Sequence, residues 1–241
     1  MFTVTVLDFG SEFAERDYSK FEMAAVAVFF FKEGLRTEQI KAYIEYEKKA
    51  ATSKTAFNIF AFSFLFSLVN CAVCFLTKEH MLMIGQLLLS AVSFCFTVIA
   101  FARKKDHKLA ILSNAVNDTY SSVTFIFFSY LVLLSSAPVS YFFLLWALLF
   151  CLFCAALIQI IMWRRIKNGA FMKRSGVVVP SAGIGIMGGA LGLILMKVFA
   201  AGAEYETIVA AAVVLSLAVA AFASVGTHLY MCVYFCVKYH L

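Results

Sequence analysis

The sequence predicts an all-α integral membrane protein: six transmembrane helices in three hairpins, both termini cytoplasmic, and a small N-terminal cytoplasmic or interfacial segment. Three observations predict it: composition, the lengths of the uncharged blocks, and the sidedness of Lys and Arg. Hydrophobic residues make up 63% of the 241 residues and charged residues 14%, against about 45–50% and about 25% in soluble domains. Charged residues mark the edges of the apolar blocks. A crossing needs about 20 apolar residues, each rising about 1.5 Å, to traverse roughly 30 Å of hydrocarbon.

Residues 1–54 form the one sizeable segment expected outside the membrane. Its MFTVTVL start alternates like a short strand. MAAVAVFFF, residues 23–31, is too short to span and suits an interfacial elbow. TEQIKAYIEYEKKAATSK reads as a helix, with Glu45 and Lys49 at i,i+4, running straight into the first span. Acidic residues from Asp8 onward precede any long apolar core, so no cleavable signal peptide is expected.

Residues 55–241 form the transmembrane domain. Spans are expected at about 55–77, 81–102, 119–137, 139–163, 175–196 and 207–237. The third and fourth come from one uncharged block, Thr119 to Trp163, too long for a single crossing and divided at Pro138. The sixth exceeds one crossing and is expected to tilt or project. With the N-terminus inside, the inner segments hold 18 Lys and Arg and the outer ones only Lys78 and Lys197. That asymmetry sets both termini in the cytoplasm and the protein in the cell membrane. The net charge of +6 is therefore a topology signal, and no nucleic-acid partner is implied. The clusters RKKDHK and RRIK suit an anionic inner leaflet.

The most informative polar pattern lies in the first hairpin. Ser63, Ser67 and Asn70 share one face of span 1, and Gln86, Ser90, Ser93 and Thr97 share one face of span 2. Folding the hairpin about residues 78–79 sets Asn70 near Gln86 and Ser67 near Ser90. Two stripes at matched depth are either an interhelical hydrogen-bond seam or one wall of a polar pathway.

Ionisable groups inside the spans are scarce. Asp118, in SNAVNDTYSS, reads as a solvated helix entry to span 3. His228, toward the inner part of span 6, has no partner identifiable from the sequence, so bonding to a neighbouring helix competes with a functional role. Cys71/Cys74 and Cys151/Cys154 each make CxxC, but on a helix both pairs read as small core hydrophobes. Cys232 and Cys236 lie near the inner face, a position open to palmitoylation. No metal is expected, since no two of the four histidines stand at ligand spacing. No HExxH, GxSG or Walker motif occurs, so no catalytic residues, no cofactor and no enzyme activity are expected.

Span 5 carries PSAGIGIMGGALG. Gly185, Gly188, Gly189 and Gly192 form one bare strip on a helix, matched by an alanine-rich span 6, which reads as a surface for close helix contact. The alternative is a helix unwound to bind a ligand.

The expected function is transport: a permease subunit or small channel, with a second copy of itself or a partner membrane or ATPase subunit as the expected partner. Scarce buried charge favours a neutral or lipid-like cargo. The competing reading is a non-transporting membrane scaffold, immunity or effector protein acting through its N-terminal segment.

Overall fold

A computed structural model describes residues 35–136, 139–172 and 204–239, and no strand occurs among them. The helices are α1 (Thr37–Ala50), α2 (Ser53–Thr77), α3 (His80–Ala102), α4 (His107–Leu134), α5 (Phe142–Lys167), α6 (Tyr205–Ala223) and α7 (His228–Lys238). A 3₁₀ turn at Ser224–Thr227 joins α6 to α7. Among the described residues, α2, α3, α5 and the α6–α7 unit (Tyr205–Lys238) are long and apolar enough to cross a membrane. The described residues are thus all-helical, with the character of a multi-pass membrane protein. Two other spans are expected: 119–137 falls mainly on α4, which is not among these four, and 175–196, with Gly185, Gly188, Gly189 and Gly192, lies outside the described residues, as do residues 1–34.

The exterior is inverted relative to a water-soluble fold. Leu76, Met81, Trp146 and Phe153 stand 78%, 82%, 66% and 60% exposed, while Ser63, Asn70, Gln86 and Ser93 are fully buried. Without a hydrophobic drive between helices in lipid, polar contacts and close packing must hold the bundle.

α4 lies at the centre, packed against α2, α3, α5, α6 and α7. It begins at His107, a full three turns before the expected residue 119. Asp106 caps it, its side chain accepting from the Lys108 and Leu109 amides. The uncharged block underestimates this helix because charge marks the edge of a lipid-facing span. A helix shielded by its neighbours can carry polar residues through its own length.

The N-terminal helix also departs from expectation. α1 and α2 are separate, interrupted at Ala51 and Thr52. Thr52 is extended and its hydroxyl accepts from the Thr55 amide, restarting the chain as α2. α1 then turns back onto the bundle, burying Ile40, Tyr43 and Ile44 against Met162, Ile166 and Phe235. Its anchoring end is the basic end of the bundle, where Arg103–Lys105, Arg164, Arg165 and Lys167 lie.

The last helix is not continuous. Ser224 and Thr227 turn their hydroxyls back to the Ala221 and Ser224 carbonyls, which competes with regular helix bonding. Gly226 supplies a backbone without a side chain, and a Cβ there would fall inside the Asp118 carboxyl group. The interruption lets α4 approach the backbone of the turn at this one point.

Candidate functional site

Two polar constellations occupy the interior. The first joins the stripes of α2 and α3 to a third stripe on α4: Asn114, Asn117, Ser121 and Thr124. Ser67 Oγ lies 2.8 Å from Ser90 Oγ, and Ser90 Oγ lies 2.9 Å from the Tyr120 hydroxyl. Because Ser90 itself donates to the Gln86 carbonyl, Ser67 and Tyr120 are the donors to it. Asn70 and Gln86 meet at Thr124: Asn70 Nδ2 donates to its carbonyl and Gln86 Nε2 to its hydroxyl, each at 2.9 Å. Ser63 bonds Ser121, and Ser93 donates to Asn117 Oδ1. Thr97 Oγ1 lies 3.3 Å from the same Oδ1. Asn117 Nδ2 then donates to the Ala56 carbonyl at 2.8 Å, tying α4 to α2. Among the described residues, Asn70 Oδ1 and Gln86 Oε1 are buried acceptors without a partner.

The structure therefore brings all seven stripe residues together, at the matched depths the hairpin geometry requires. Uncharged length does not reveal the α4 stripe, because it puts the edge of the span at Asp118 and leaves Asn114 and Asn117 outside it. Its signal is legible in retrospect: Asn114, Asn117, Ser121 and Thr124 recur at i, i+3, i+7 and i+10.

The second constellation surrounds the turn between α6 and α7. Asp118 is 5% exposed and His228 3%, so Asp118 is not a solvated helix entry. It sits three turns inside α4, covered by the backbone of Gly226. Its Oδ1 has no partner among the described residues. His228 does have one. Its Nε2 lies 3.1 Å from Glu47 Oε1, on α1, and its Nδ1 lies 2.6 Å from the Val225 carbonyl.

Other side chains occupy the carbonyls of the interrupted helix. Gln159 Nε2 of α5 donates to the Thr227 carbonyl at 2.8 Å, and the Tyr43 hydroxyl of α1 donates to the His228 carbonyl at 3.2 Å. Backbone polar groups released by a break in an apolar setting need such partners. Burial holds the Tyr43 phenol neutral, its pKa well above the ordinary 10.0, and the Cys232 thiol and Glu47 carboxyl push the same way. Tyr230, one turn into α7, reaches Thr119 on α4 at 3.2 Å.

Glu47 is the residue that sequence reasoning missed. It lies outside every uncharged block, yet Ile40, Tyr43, Ile44 and Glu47 stand at i, i+3, i+4 and i+7. An acidic residue in line with the apolar stripe of an amphipathic helix is a readable sign of a buried partner.

All seven cysteines are free. Cys74 and Cys151 pack in the core beside Phe125 and Leu144. Cys232 and Cys236 are fully buried among Ile44, Ile111 and Phe235, so neither thiol is exposed to take a lipid chain. Asp118, His228 and Glu47 are the only buried Asp, Glu, Lys, Arg or His among the described residues. Comparison with protein-family models, with characterised proteins and with solved structures finds no match.

Proposed function

We propose that the chain is a small multi-pass membrane protein of transport type whose working element is the interrupted last helix. One observation carries this reading: among the described residues, a buried interior that is otherwise uncharged gathers Asp118, His228 and Glu47 at a break in a membrane-length helix. Ionisable groups at membrane depth are costly and mark pathways and relays. Interrupted helices supply the backbone polar groups from which transporters build midplane sites. A short 3₁₀ stretch within a helix is also a natural hinge. The cargo class remains the one favoured by sparse charge: a neutral or lipid-like solute, or one moved with energy from a partner subunit. By the sidedness of Lys and Arg, the basic end and both termini face the cytoplasm.

The alternative, a non-transporting scaffold, is favoured by a different observation. The α2, α3 and α4 stripes are bonded to one another and buried, which is the arrangement of a fixed seam rather than a wet wall. Single cysteines separate the two. In membrane vesicles, positions 225 and 227 are expected to react with a small water-soluble thiol reagent, and positions 67, 70 and 90 are expected to stay inert. If positions 225 and 227 are as inert as the seam, the scaffold reading stands instead.

A further inference from the structure

We infer that the Glu47–His228 contact is a proton-binding site, and that the proton it holds clamps α1 onto the interrupted helix. The reasoning rests on donors and acceptors. A carbonyl oxygen only accepts, so the Nδ1 of His228 must donate to Val225. In a neutral imidazole the other nitrogen is then bare, and an ionised carboxylate offers no donor. Two acceptors would face each other at 3.1 Å, both shielded from water. The contact closes only with one added proton, on His228 as imidazolium or on Glu47 as carboxylic acid. The pair is net neutral in either form, which suits its burial.

Loss of that proton to the water at the basic end leaves a carboxylate against a lone pair. In a low-dielectric site this repulsion has no screening. α1 is the element free to move, because the two-residue break at Ala51 and Thr52 separates it from α2. The second tie of α1 to the same turn, Tyr43 to the His228 carbonyl, falls on the same helix face and goes with it. α1 departure uncovers the Val225–His228 segment. The clamp therefore links proton occupancy to access at the break.

The groups around the pair are few. α1 adds Tyr43 and Lys48, α4 adds Asp118 and Lys108, and α7 itself adds Tyr230, Cys232 and Cys236. α5 presents the neutral Gln159. Asp118 faces the same imidazole from α4. The inference does not depend on cargo movement, so it stands or falls separately from the transport reading.

Hydrogen–deuterium exchange of residues 37–50 in lipid nanodiscs, corrected for intrinsic rates between pH 5 and 9.5, tests it. In the wild type, α1 is expected to be protected at low pH and to lose at least tenfold in protection as pH rises. Glu47→Gln and His228→Gln each supply a permanent amide donor from opposite sides of the contact. Both are expected to keep α1 protected across the range. A wild-type profile that is flat, or that matches the two variants, overturns the clamp. Failure of both variants to fold also overturns it, because each restores the missing donor without a titrating group.

Discussion

Replacing Gly226 by alanine places one methyl group where the Asp118 carboxyl already lies. The new Cβ would fall within contact of Oδ2, Cγ and Cβ of Asp118 together, so rotating the carboxyl away does not clear the space. The φ angle at Gly226 is not in the left-handed region, so the cost is packing alone. Inserting a methyl group into a filled interior costs about 1–3 kcal/mol. Three atoms of one short side chain on a buried helix stand in the way, which puts Gly226→Ala at the upper end, about 2–3 kcal/mol. That is a loss of roughly 30- to 150-fold in the folded-to-unfolded ratio. Asp118→Ala removes Oδ2 and Cγ but keeps Cβ, so it is expected to recover only part of the loss. Reversible unfolding in mixed micelles of SDS and mild detergent, on both single variants and the double variant, measures the coupling. The reasoning predicts about 1–2 kcal/mol of coupling. Additivity within about 0.5 kcal/mol, or a Gly226→Ala protein as stable as the wild type, refutes the close approach.

Asn117→Ala removes three hydrogen bonds, to Ala56, Ser93 and Thr97. At about 0.6 kcal/mol each it loses about 2 kcal/mol in the same unfolding assay, whereas Ser121→Ala loses about 0.6 kcal/mol. Thr52→Ala removes the cap of α2 and costs about 1 kcal/mol of thermal stability in detergent. Lys78 ends α2 in the left-handed region at φ 62°, so Lys78→Gly relieves strain and raises stability by up to about 1 kcal/mol. The phenol of Tyr43 is neutral when buried and ionises more readily in the unfolded chain, so its contribution is complete below pH 10.0 and fades as pH rises above it. Tyrosine absorbance during alkaline titration is expected to lose one late-ionising group in Tyr43→Phe.

The sequence reveals the layers of this protein better than its joints. Uncharged length finds α2, α3 and α5 to within a few residues, because lipid-facing helices must be apolar outside whatever lies within. The stripes on α2 and α3 are legible for the same reason: polar residues on an apolar helix can only point inward. α4 escapes that logic. Shielded by five neighbours, it spends Asn114, Asn117 and Asp118 in its interior half, and a rule built on uncharged length places its start too late. The break at Ser224–Thr227 is equally hidden, because serine, glycine and threonine are tolerated in continuous membrane helices. What decides between a kink and a straight helix is the Asp118 carboxyl arriving from another helix. Glu47 needed a tertiary contact 181 residues away in the chain to become part of a site.

The most direct test of the account is the protonation state of the Glu47–His228 contact itself. With His80, His107 and His240 replaced by glutamine, ¹⁵N-labelled His228 and ¹³C-labelled Glu47 can be read together by magic-angle-spinning NMR in lipid at pH 6. The account predicts a proton on His228 Nδ1 and a second proton on either His228 Nε2 or the Glu47 carboxyl. A bare Nε2 beside an ionised Glu47, with α1 still docked, contradicts it.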